Sequence, residues 1–210
     1  MAATFKSAVF QAKSDPIQPS FAAKTAVFYA LLYGCGIVFG VIAYFALPQW
    51  MRDNLATQIT SLIQTMRMSV VHHTDTGLSA FMDAVYGALI ILFFWMAGHI
   101  PIGTPFLVFG TFLRAVSLGL ALTGTINAFG LSGAEFDLLG VIPWNILTGV
   151  AVVVSATVSS LYIHQGRGSG GFAAKRYTVY CTAHIMCTGL VMLAGMLQIQ
   201  VMAKALLFVS

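Results

Sequence analysis

Arg114 is the residue of this chain most able to do chemistry alone, because it stands inside the apolar stretch Phe106 to Phe129. A guanidinium at the centre of a membrane helix costs about 2.5–3.5 kcal/mol on insertion scales, so it faces a bundle interior or a polar cavity. There it can hold an ion or substrate, or it can tie helices together. The carboxylates Asp83, Glu135 and Asp137 lie near the ends of the apolar stretches rather than at the depth of Arg114. Three partners remain open for it: a carboxylate reached by snorkelling, backbone carbonyls freed near the turn Gly98–Pro105, or Asn145.

Cys181, His184 and Cys187 are metal-capable side chains three residues apart in one apolar stretch. On a helix that spacing spreads them around the axis, and a fourth ligand is not evident. Buried polar packing is therefore the expectation, with no metal site. His72-His73 reads as part of a polar loop closed by Asp75. The chain carries no Walker A, H-E-x-x-H or G-x-S-x-G motif, and no carboxylates pair at the depth where proton relays work. No catalytic residues, no cofactor and no enzymatic activity are expected.

The elements that must hold these residues follow from composition. Apolar residues make up 59% and charged residues 8%, and mean hydropathy is +0.89. A soluble domain carries roughly 25% charged residues, so this chain is expected to be an integral membrane protein. One span needs about 20 apolar residues. The all-α, polytopic reading has a polar N-terminal segment, 1–25, and a single helical membrane domain, 26–210. Five spans fall near 26–47, 82–98, 105–129, 138–163 and 177–208. Gly98-His-Ile-Pro101-Ile-Gly103-Thr-Pro105 is a tight membrane turn between the second and third. Gly130 to Asp137 reads as a small loop, and residues 164–176 as a flexible basic loop.

Residues 49–81 differ. Met51, Leu55, Ile59, Leu62, Ile63, Met66 and Val70 recur at helical spacing, with Asn54, Gln58, Ser61, Gln64 and Arg67 on the other face. This pattern predicts an amphipathic helix at the membrane surface or on a partner. Lys6, Lys13, Lys24, Arg167, Lys175 and Arg176 fall on one side of the alternating spans, and Arg52 and Arg67 on the other. The positive-inside rule then puts the N-terminus in the cytoplasm, and the amphipathic segment and C-terminus outside. The pI near 9.1 follows from those inner loops and implies no nucleic acid. Gly36 and Gly40 form a G-x-x-x-G pair, expected to pack within the chain, with self-association as the alternative. Ala151, Ser155 and Ser159 offer a second small-residue face for a homo-oligomer.

Gly98, Ile102, Gly103 and Pro105, then Phe112, Arg114 and Gly119, then Gly130 and Gly133, then Pro143 and Asn145 form one ordered pattern. With Gly36, Phe39 and Gly40 in the first span, it resembles the stage II sporulation protein M family of bacterial membrane proteins. The resemblance covers nearly the whole chain, and I-G-x-P with the later P-x-N carries most of its specificity. Trp144 stands where the family tends to have Gln. Arg114 stands where Lys is common, so the positive charge is kept.

The resemblance implies a non-enzymatic scaffold of the engulfment machinery in the septal membrane. Such a scaffold holds peptidoglycan hydrolases, an amidase/endopeptidase and a lytic transglycosylase, while one membrane moves around another. Partner docking is then expected on the outer helix at Leu55, Ile59, Leu62 and Met66, and the glycine-proline motif residues are expected to pack the bundle. The alternative is a small transporter or channel with a site near Arg114, motivated by helices broken at Gly98–Pro105 and Gly133–Pro143.

Overall fold

The computed structural model describes residues 19–71, 76–164 and 171–205, all but a few of them helical. His72, His73, Asp75 and Arg167 lie outside the described residues, as does the side chain of Met66. The helices are α1 (Pro19–Ala46), α2 (Gln49–Val71), α3 (Thr76–Ala97), α4 (Thr104–Phe129), α5 (Leu131–Phe136), α6 (Ile142–His164) and α7 (Gly171–Ala205). A π-helical turn, Asp137–Val141, joins α5 to α6.

Four stretches are long and apolar enough to cross a membrane: Ser20–Ala46, Thr104–Phe129, Leu131–His164 and Arg176–Gln198. The remaining expected span, α3, has 22 residues, with a shorter apolar stretch at Ala84–Ala97. Its length, ~33 Å at 1.5 Å per residue, matches the hydrocarbon thickness. The distribution of side chains fits a bilayer as solvent. Large apolar groups such as Leu31, Phe45, Phe109 and Ile185 are exposed, while Thr111, Ser155, Ser159 and His184 are buried. Between helices in lipid, close packing and hydrogen bonds do the work that apolar burial does in water. The chain is an all-α polytopic membrane protein.

Helix directions alternate. Gly36 meets Ala115 and Gly40 meets Gly119, so α1 and α4 run parallel. Phe21 meets His164 and Tyr33 meets Gly149, so α6 runs against α1. Gly87 faces Val191 and Gly195 faces Ala84, so α3 runs against α7. The start of α1, the Gly98–Gly103 turn, the end of α6 and the start of α7 therefore share one end. The opposite end carries α2, α5 and the π turn.

The observed boundaries differ from the expected ones in three places. α1 begins at Pro19, not near residue 26, since proline is well placed in a first helical turn and Lys24 stays exposed. The outer segment 49–81 is divided: α2 ends at Val71, and residues from Thr76 onward belong to α3. The expected loop Gly130–Asp137 is helical. Gly130 has φ 62°, the left-handed region open to glycine, and its N–H donates to the Ile126 carbonyl at 2.8 Å. After this single reversal α5 packs on α4 so closely that a Cβ at Gly133 would strike the Thr125 carbonyl. Pro143 does not start a new helix. The π turn ahead of it, with Ile142 N–H reaching back to Asp137, absorbs the lost hydrogen bond and the ring's clash with the preceding turn.

The small-residue faces are used within the chain. Gly36, Gly40 and Gly119 seat α1 on α4. Ala151, Ser155 and Ser159 are fully buried, so neither face is free for the homo-oligomer contact considered above.

Candidate functional site

Arg114 stands ten residues beyond Thr104 on α4, about 15 Å along the axis. Its Nη2 donates to Asn145 Oδ1 at 2.8 Å, and Asn145 Nδ2 donates to the Val141 carbonyl at 2.9 Å, at the end of the π turn. Those two bonds settle the amide's orientation: arginine only donates and a carbonyl only accepts, so the Asn145 oxygen must face the guanidinium. Arg114 forms no ion pair among the described residues, and its buried Nε has no partner. Of the three partners open in the sequence, the structure selects Asn145.

Two clefts meet at this cation. One, of ≈ 300 Å³, is lined by Tyr86, Ser117, Thr148, Gly195 and Gln198 as well as Arg114. The other, of ≈ 450 Å³, runs between α3 and α4 past Leu89, Phe93, Gly110 and Leu113. Tyr86, Ile90, Arg114 and Ser117 line both. Exposure of Tyr86, Leu89, Phe93 and Leu113 opens the second cleft sideways. The arrangement offers a positive charge and hydroxyl groups at the junction of a polar cleft and an apolar groove.

The motif residues of the turn play unequal parts. A Cβ at Gly103 would strike the Ala97 carbonyl, and one at Gly98 would strike the Tyr180 hydroxyl. Pro105 sits in the first turn of α4. Ile102 is 70% exposed and contributes no packing, contrary to expectation. Around the turn, His99 Nδ1 donates to the Trp95 carbonyl at 2.8 Å, and the Tyr180 hydroxyl donates to the same carbonyl. The His99 ring lies 5.4 Å from that of Tyr180 and 5.9 Å from those of Tyr162 and Tyr177.

Cys181, His184 and Cys187 do not converge, and among the described residues no three His, Cys, Asp or Glu side chains form a metal-binding group. His184 is instead a tie between helices. Its Nδ1 lies 2.9 Å from the Tyr180 carbonyl and its Nε2 lies 3.0 Å from Ser159 Oγ. The Ser159 hydroxyl donates to the Phe94 carbonyl at 2.9 Å. A serine beside an imidazole is one requirement of nucleophilic catalysis. Here the serine is fully buried and its proton is already donated to backbone.

The expected docking face on α2 is divided. Leu55 and Ile59 are half-buried and Ile63 is buried. Ile59 Cδ1 lies 2.6 Å from where a Cβ on Gly124 of α4 would stand. Leu62 is 56% exposed, with Trp50, Met51 and Met68 also exposed. The centre of the apolar stripe therefore covers the chain's own bundle, and only its edge at Met51 and Leu62 remains open.

Sequence reasoning placed Asp137 at the end of a small loop and missed its burial: the π turn leaves it 2% exposed, with neither carboxylate oxygen hydrogen-bonded among the described residues. The available signal was the unbroken apolar run around Pro143, which carries a helix through that proline. No family model, curated protein or solved structure matches this chain, so the likeness to the stage II sporulation protein M family rests on its sequence motif alone.

Proposed function

We propose that the protein is a membrane scaffold that holds peptidoglycan hydrolases beside the membrane. The observation that carries this reading is α2, a 23-residue helix moored across one end of the bundle along one stripe, with its remaining faces open. The glycine-proline motif supports it through the family resemblance. Positive-inside bias supports a cytoplasmic location for the opposite end: Lys24, Lys175 and Arg176 belong to that end, and Arg52 and Arg67 to α2. α2 then lies outside, where wall hydrolases work, and the septal membrane is the place the family likeness implies.

The division of the α2 stripe sets the test. Leu62→Glu is expected to abolish recovery of an amidase/endopeptidase or a lytic transglycosylase on co-purification, at unchanged membrane level. Ile59→Glu is expected to lower the folded amount itself, because that side chain packs against α4 and a charge buried without a partner is expensive. Unchanged hydrolase recovery with Leu62→Glu refutes docking on α2, and failure of the native protein to recover either hydrolase refutes the scaffold.

A second reading, a small transporter, is favoured by the clefts that meet at Arg114. It requires uptake of an anionic solute into proteoliposomes that is lost in Arg114→Ala. Absence of uptake by the native protein refutes it.

A further inference from the structure

We propose that the two clefts meeting at Arg114 form one binding site for a phosphate-bearing anionic lipid, with the headgroup at the guanidinium and an acyl chain in the groove between α3 and α4. The proposal is independent of the scaffold reading, since it uses neither α2 nor any protein partner.

Four observations carry it. First, Arg114 is a permanent cation that forms no ion pair among the described residues. Asn145 takes one of its donors and thereby fixes the plane of the fork. Its Nε is buried without a partner, and the other Nη donors are left for a ligand. A planar fork of this kind matches the spacing of phosphate oxygens and bonds them with charge assistance. Asn145 orients the cation without neutralising it.

Second, the polar cleft supplies a further donor. The Thr148 hydroxyl makes no hydrogen bond among the described residues, whereas that of Ser117 donates its proton to the Arg114 carbonyl of its own helix and adds only polar surface. Both face the same space as the guanidinium. The cleft extends from Arg114 to Gln198, the last residue of the α7 span. A headgroup thus has a polar route from the α2 end of the bundle.

Third, the apolar groove shares a wall with the polar cleft and opens sideways between α3 and α4. A soluble anion has no use for such a groove. A lipid entering laterally fills both parts, with its hydrocarbon against Leu89, Phe93 and Leu113. Fourth, Gly110 on α4 keeps the groove floor low: a Cβ there would meet Phe94 at 2.7 Å. A charged headgroup and an apolar tail are therefore provided for at adjoining places. That combination selects an anionic amphiphile over inorganic phosphate.

The test uses the full chain purified in a mild non-ionic detergent, with bound lipid counted by native mass spectrometry. Phosphatidylglycerol, phosphatidylcholine and soluble glycerol phosphate are offered separately. Native protein is expected to retain phosphatidylglycerol over phosphatidylcholine by about tenfold, because both offer the same phosphodiester but choline brings a second cation close to Arg114, and to retain no glycerol phosphate. Arg114→Gln is expected to lose the preference between the two lipids. Ser117→Phe fills the shared wall from an exposed position and leaves the Arg114–Asn145 bond in place. It is expected to lose phosphatidylglycerol while keeping the native melting temperature, so the site stays testable if Arg114→Gln does not fold. Equal retention of both lipids by native protein overturns the proposal, as does undiminished phosphatidylglycerol retention in Ser117→Phe. Binding of glycerol phosphate as tight as that of the lipid also overturns it, by identifying a site for soluble anions.

Discussion

Gly40→Val is expected to prevent the protein from accumulating in a folded form, and Gly40→Ala to lower its stability in detergent by about 3 kcal/mol, the upper part of the range for overpacking. A Cβ at Gly40 would strike the Val116 carbonyl and stand 3.0 Å from Gly119 Cα and 3.1 Å from Leu120 N. All three are backbone atoms of α4, so no side chain can rotate away, and α1 must move off α4. Gly119 meets the same contact from the other side, at the Ile37 carbonyl and Gly40 Cα. Gly119→Ala is therefore expected to cost a similar amount. Once the helices have separated, the second substitution has less left to disrupt, so the double variant should cost less than the two single costs added. Gly34→Ala is the internal control. Nothing lies within 4 Å of a Cβ there, and alanine is the better helix former by about 1 kcal/mol. Thermal unfolding of the four variants in one detergent checks the set. Equal melting temperatures for Gly40→Ala and Gly34→Ala would show that α1 is not seated on α4 in this way.

That contact also explains how much of the fold was legible. Spans are written in composition: long apolar runs have one stable placement in a bilayer, so four of the five expected spans follow directly, and the fifth, α3, has only the shorter apolar stretch Ala84–Ala97. The Gly36/Gly40 pair announces a close helix contact, but the pattern is the same whether the neighbour is α4 or another copy of the chain. The amphipathic period of α2 has the same ambiguity. It predicts a covered stripe but not what covers it, and Gly124 is what makes room for Ile59. Helix ends were read less well. Gly130, Ser132, Glu135 and Asp137 look like a loop because each is common in loops, yet only Gly130 has a loop conformation. Asn145 stood among three possible partners for Arg114 because polar groups are scarce at that depth, but only the structure chooses between them. Ser159 and His184 lie on separate helices, and neither residue's neighbours signal the other, so their contact was invisible in the sequence.

Asn145→Leu is expected to be more damaging than Arg114→Leu, although the arginine is the costlier residue to insert. Removing Asn145 leaves a guanidinium donor with no acceptor inside the bundle. Breaking one side of a buried charged interaction costs about 3–5 kcal/mol. Removing Arg114 leaves only a neutral amide oxygen unpaired, about 1–3 kcal/mol, and the Asn145–Val141 bond survives. The double variant Arg114→Leu/Asn145→Leu should then be more stable than Asn145→Leu alone, because the stranded charge is gone. Asn145→Asp should be better tolerated than Asn145→Leu, since a carboxylate still accepts from Nη2, although it no longer donates to Val141. Thermal unfolding in detergent measures this order. If Asn145→Leu is no worse than Arg114→Leu, the guanidinium has another acceptor and Asn145 does not orient it. If the order holds, the double variant separates fold from function. It is expected to keep the bundle and lose the anionic-lipid preference, as a cation retained for a ligand rather than for packing requires.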